Sequence, residues 1–167
     1  MRAGVEFRKP KRPVREDSTK TVNQASGAQY MKYLAMIIMD SDSEDCRNYE
    51  KGTPTDQKFV AAMGGLIEEM TRRGVLLGTA GLLPYAQGAR VRATGGKLTV
   101  TDGPFIESKE VIGGYAMMQT KSKEEAVEWG KAFMQLHLDA LGASYAGTLE
   151  IRQMFDPEDC ASERAKS

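Results

Sequence analysis

The side chains able to carry a proton or a charge crowd into one stretch of the chain, Thr101-Asp102-Gly103-Pro104-Phe105-Ile106-Glu107-Ser108-Lys109-Glu110. A carboxylate such as Asp102 serves as general acid or base when it is sheltered from water, because burial favours its neutral form. Asp followed by Gly-Pro is also strong turn chemistry, in which the side chain caps backbone N–H groups. Both readings of Asp102 stay open. Glu107 and Lys109, with Glu110 beside them, have the types and spacing to clamp a charged substrate, or to form a solvated loop edge with weak ion pairs. Tyr115 follows and offers a phenol, either to a site or to the core. His137 is the single histidine. It titrates near neutral pH and is a weaker candidate for proton transfer, or else a helix C-terminal residue favoured by the macrodipole. Gly103 and Pro104 read as backbone shape, and Phe105 as packing.

Other chemistries lack their residues. No phosphate-binding glycine loop, dinucleotide fingerprint, Ser–His–Asp arrangement or His/Cys metal cluster is present, so no metal or cofactor is expected. Cys46 and Cys160 fit no metal-ligand spacing and read as reduced thiols of a cytoplasmic protein. No apolar run approaches the roughly 18 residues that span a bilayer, so no membrane association is expected.

The elements that must position these groups follow from periodicity. Tyr33 to Met39 is a nearly continuous apolar run and predicts a strand covered on both faces. The polar stretch from Asp40 to Thr53 predicts a loop. Pro54 and Thr55 predict a helix start with Thr55 as N-cap. Phe59, Met63, Leu66, Ile67 and Met70 recur at helical spacing, and Gly74 stands where a left-handed C-cap residue is expected. Val75 to Leu77 predicts a short strand, and Thr79 to Gly88 a loop. Residues 89–94 and 97–101 alternate on either side of Gly95-Gly96, a hairpin signal. Leu98 and Val100 share a face, and the two-residue period adds Asp102 to it, which predicts a carboxylate aimed at the covered side. Val111 to Thr120 predicts a strand. Ser122-Lys123-Glu124-Glu125 predicts a capped helix presenting Ala126, Trp129, Ala132 and Phe133, with His137 near its last turn. A Gly/Ala-rich connection from Leu138 to Gly147 and a strand from Leu149 to Phe155 complete the pattern.

A hairpin and four further strands with two helices imply an α+β fold, a ferredoxin-like sandwich with both helices on one sheet face. The other face would be apolar and open, which predicts association of two copies, sheet against sheet.

With 167 residues the chain is expected to hold one domain, residues 31–156, between a polar N-terminal segment, residues 1–30, and a charged tail, residues 157–167. Lys and Arg equal Asp and Glu at 23 each, yet residues 1–30 hold seven cations against three anions. That leaves 16 against 20 in the remainder, a poor balance for binding nucleic acid except through the basic segment. The segment is too poor in large apolar residues to order itself and is expected to be disordered. Met31 reads equally well as the natural first residue.

From Met31 to about Asp159 the residues carry a resemblance. Met31-Lys32-Tyr33-Leu34, Gly74-Val75-Leu76-Leu77 with Gly81-Leu82, Thr101-Asp102-Gly103-Pro104-Phe105, Ile112-Gly113-Gly114-Tyr115, Ser122 to Ala126 with Glu128-Trp129, and Glu150 to Phe155 are similar to the DGPF-type proteins of the YCII-related family. The resemblance implies a dimeric α+β barrel and a bacterial protein of unassigned activity, some relatives of which stand beside extracytoplasmic-function sigma factors. It also implies an acid–base pair whose histidine lies on the first long helix. This chain has Met63 at about that place and no histidine in the helix, so only the Asp of the motif, Asp102, carries over. The resulting expectation is a small-molecule site in the barrel cleft with lyase- or isomerase-like proton transfer at Asp102. The alternative is a non-enzymatic regulatory partner of a sigma factor.

Overall fold

The computed structural model describes residues 29–53, 56–105 and 109–155. Residues 1–28 of the expected N-terminal extension, Pro54, Thr55, Glu107, Cys160 and the charged tail lie outside the described residues. The chain runs β1 (Met31–Asp40), α1 (Glu44–Glu50), α2 (Gln57–Arg72), β2 (Leu76–Gly81), a short 3-10 turn (Tyr85–Gln87), β3 (Ala89–Thr94), β4 (Lys97–Asp102), β5 (Glu110–Thr120), α3 (Lys123–Leu141) and β6 (Thr148–Gln153).

Four strands form one antiparallel sheet in the order β2-β5-β1-β6, and β3 and β4 pair only with each other. Removing the hairpin and α1 leaves the ferredoxin-like plan: two strand–helix–strand crossovers, α2 and α3, interleaved in one sheet. The alternation in β1 shows why both helices take one face. Tyr33 and Ala35 are buried with Met70 of α2, Ala126 of α3, Met118 and Val75. Trp129, Leu149 and Ile151 pack around that core. Gly130 of α3 has no room for a side chain, since an added Cβ would lie 2.7 Å from Ile151 Cδ1. This glycine lets the helix approach the sheet.

The strand β1 is covered on one face rather than both. Leu34 and Met36 point away from the helices, opposite Met117 and Tyr115 of β5, and are only partly buried. Past the bulge at Ile37/Ile38, Ile38 and Ile112 continue that open surface. A continuous apolar run in β1 therefore reflects one packed face and one uncovered apolar face.

Helix ends follow local chemistry. Asp56, not Thr55, caps α2: its carboxylate accepts from Lys58 N at 2.6 Å and Phe59 N at 3.3 Å. Gly74 follows with φ +69°, as the C-cap position requires. Ser122 caps α3 by accepting from Glu125 N at 3.2 Å, while Glu125 reaches back to Lys121 N at 2.8 Å, one residue earlier than the usual box. The helix runs to Leu141, through the segment expected to be a connection, and Gly142 ends it at φ +89°. Helix α1 lies within the expected loop. Ser43 caps it, Glu44 and Asp45 occupy its first turn, and Cys46 is buried against Met39 and Val111.

Candidate functional site

The 101–110 stretch is positioned by contacts that begin in α1. Tyr49 Oη donates to Leu82 O at 2.7 Å, and the Glu50 carboxylate accepts from Tyr85 N at 3.2 Å. The phenol of Tyr85 in turn donates to Glu110 O at 3.2 Å. These bonds tie α1 to the 3-10 turn from which the β3–β4 hairpin springs. Burial, followed by the neighbouring Glu50 charge, pushes the phenol of Tyr49 up from its ordinary value of 10.0, so it stays a donor. Neither Tyr49 nor Glu50 was legible as a positioning residue, because their partners lie more than 30 positions away in sequence.

The hairpin closes as Gly95-Gly96 predicts, with both glycines at positive φ, +57° and +72°. At its base Gly103 N donates to Gly88 O at 2.9 Å. A Cβ on Gly103 would sit 1.6 Å from Tyr85 O, so the motif's glycine is required by the backbone of the 3-10 turn. Phe105 packs on Tyr85 at 5.3 Å between ring centroids, and the Arg90 guanidinium lies 4.1 Å above its ring. Gly103 and Phe105 thus serve shape and packing, as expected.

Asp102 departs from expectation. The register pairs it with Ala89, Val100 with Val91, and Leu98 with Ala93, so it does share the apolar face of the hairpin. That face is bare within one chain. Val91 is 67% exposed, Leu98 73% and Val100 67%, and Asp102 is exposed with them. The expected half-buried strands are solvent-facing because the four-stranded sheet ends at β2 and no described element lies over the hairpin. The Asp102 carboxylate makes no hydrogen bond or ion pair among the described residues, so it does not cap the turn either.

The remaining candidates do not converge on it. Lys109 is exposed, and its carbonyl accepts from Ser41 N at 3.0 Å. Glu107 lies outside the described residues. Tyr115 is 36% exposed on the open sheet face, opposite Met36 and Ala80, rather than in the core.

His137 is 7% exposed within α3, with no contact to Asp102. Its ring meets Phe59 of α2 at 4.8 Å, Phe133 at 4.5 Å and Tyr145 at 5.2 Å. Nδ1 lies 2.9 Å from Phe133 O; a carbonyl only accepts, so this nitrogen carries the proton. Burial holds the imidazole below its ordinary value, outweighing that hydrogen bond. His137 lies near the end of α3, as expected, and the structure adds a role not read from the sequence: its ring fills an aromatic cluster between α2, α3 and the turn after α3.

The described residues also form a groove of about 670 Å³ elsewhere, lined by Tyr30, Arg73, Gln119, Lys121, Glu125 and Trp129 among others. Arg73 lies 5.5 Å over the Trp129 ring and bonds Glu69, and Gln119 Nε2 donates to Gly74 O at 2.8 Å. Asp102 does not line it. Among the described residues no group of three or more His, Cys, Asp or Glu is arranged to hold a metal, and no helix is long and apolar enough to cross a membrane. Cys46 is a buried free thiol, pushed up from 9.0 by burial and then by Glu50 and Asp40.

Comparison with known proteins bears on the family. Uncharacterized protein R00369 of Rhizobium meliloti (strain 1021) is 28% identical over 76 residues, 46% of this chain and 61% of that protein. The chain thus spans less than two thirds of the length of that relative. The sequence profile of the YCII-related domain matches residues 20–139. That match covers β1 to β5, α1, α2 and all but the last two residues of α3, and the chain therefore belongs to the YCII-related family.

Proposed function

We propose that this protein binds a small molecule beside Asp102, working as a cytoplasmic homodimer whose open sheet faces pack together to make the cleft. One observation carries the reading: Asp102 is a carboxylate with no folding partner among the described residues, set at the end of a bare apolar stripe of Ala89, Val91, Ala93, Leu98 and Val100. Small-molecule sites combine such apolar lining with a few polar groups. Covering the stripe would shelter the carboxylate, the condition for acid–base chemistry of the lyase or isomerase kind. His137 is unsuited to be its proton partner, since its ring is enclosed by Phe59, Phe133 and Tyr145. Tyr115, on the open sheet face, and Lys109 contact the bound molecule in this reading.

A second location has its own support. The groove at Trp129 has the volume of a ligand site and an aromatic wall. A thermal-shift screen of a metabolite library on the wild type, Asp102→Asn and Trp129→Ala separates the two, because a ligand of the folded state raises Tm. Hits lost in Asp102→Asn and kept in Trp129→Ala support the first site. The reverse pattern moves the ligand to the groove, and a screen with no hit refutes small-molecule binding by either. The regulatory role beside a sigma factor rests on family resemblance alone.

A further inference from the structure

The β3–β4 hairpin has two unlike faces. Ala89, Val91, Ala93, Leu98, Val100 and Asp102 share one, and Arg90, Arg92, Thr94, Lys97, Thr99 and Thr101 share the other. Both faces are exposed, and the polar one touches the body only near the hairpin base, where Arg90 rests on Phe105. The base is held by Gly103 N donating to Gly88 O and by the Tyr85 contacts. The hairpin is therefore fixed to the body yet presents its apolar face outward. A two-stranded hairpin is marginal in water unless that face packs on something.

The chain has a second bare apolar surface. Leu34, Met36, Ile38, Ile112, Tyr115 and Met117 lie on the sheet face away from both helices. At about 4.8 Å between strands and 3.4 Å per residue, a four-stranded face of six-residue strands covers about 400 Å², and the hairpin face about 200 Å² more. A stable pair buries about 800 Å² per partner. The sheet face alone supplies about half of that. The two surfaces together come within reach of it once the relief of the side chains is counted.

We propose that the hairpin is a clasp: the apolar face of each β3–β4 hairpin is seated on a second copy of this chain. The partner copy then forms a wall of the Asp102 site, which is complete only in the pair. This deepens the paired reading above and rests on it.

Sedimentation equilibrium on the full chain tests the clasp. The wild type is expected at twice 18.3 kDa. Leu98→Glu with Val100→Glu should weaken self-association by about 10,000-fold or more, the equivalent of losing four buried apolar side chains from the pair, two from each hairpin. Thr99→Glu, on the other face of the same strand, should leave it unchanged. Circular dichroism and Tm establish that each variant is folded. Labelling of carboxylates with a water-soluble carbodiimide and glycinamide, read by peptide mass spectrometry, supplies a test on the unaltered chain. Asp102 should react at least about ten-fold more slowly at concentrations where the chain is paired than on dilution to monomer.

A paired wild type whose double variant pairs equally well, or whose Asp102 labels at one rate throughout, overturns the clasp and leaves the sheet-to-sheet pair standing. A wild type that is monomeric at all concentrations overturns both. A wild type monomeric alone that pairs only with a different protein assigns the hairpin to another occupant and likewise overturns the clasp.

Discussion

The state of His137 gives a test that needs no ligand. The folded protein holds a neutral imidazole, because its ring is enclosed and a charge there would be poorly solvated. The unfolded chain has no such restriction and takes up a proton at about 6.5, the ordinary value. The folded value is the lower of the two, so stability from this group is fully present above 6.5 and declines as pH falls below it. The decline ends below the folded value. No other histidine contributes in this range.

Replacing His137 by Ala removes a buried ring with three aromatic neighbours, each pair contributing about 0.5–1.5 kcal/mol beyond burial. The total loss should be about 3–5 kcal/mol, the range for emptying an aromatic core position. With a urea slope of about 2 kcal/mol/M, the midpoint moves down by about 2 M. Replacing it by Phe keeps the ring and forfeits one hydrogen bond to Phe133 O, a loss of about 1 kcal/mol. Urea unfolding followed by far-ultraviolet circular dichroism, at fixed protein concentration, should show wild-type stability falling between pH 7 and pH 5. His137→Phe should be flat there. If His137→Phe keeps the wild-type slope, the buried neutral histidine is refuted.

Three shorter predictions test other parts of the scaffold. Asp56→Ala should cost about 1 kcal/mol by calorimetry through loss of the α2 cap, whereas Thr55→Ala should be close to neutral. Gly64→Ala, on an exposed helix face where a Cβ meets nothing, should raise stability by about 0.5–1 kcal/mol; Gly103→Ala, which drives a Cβ into Tyr85 O, should lower it by about 1–3 kcal/mol or more. The Tyr145 phenol is pushed up to about 12 by burial, with Asp45 adding to it. Its absorbance at alkaline pH should lag behind that of exposed tyrosines, and stability should fall as pH rises above 10.

The elements set by their own residues were legible. Gly95-Gly96 makes a hairpin because both positions require positive φ, Ser122 and Glu125 start α3, and Gly74 ends α2, all through contacts within a few residues. The fold class followed from the order of those elements. The misses share a different cause. Seven-residue α1 buries only Cys46, which is too little for a helical period to show, and its role in holding the hairpin depends on Leu82 and Tyr85. Leu138 to Leu141 remain helical despite an Ala/Gly-rich run because the break comes only at Gly142.

Asp102 marks the boundary between the two kinds of information. Strand alternation alone assigned it to the face of Leu98 and Val100, since side-chain direction along a strand is a local property. Whether anything covers that face is a matter of which elements meet in space. Only the tertiary structure shows that this chain leaves the face bare, and only the tertiary structure encloses His137 among rings from α2, α3 and the following turn.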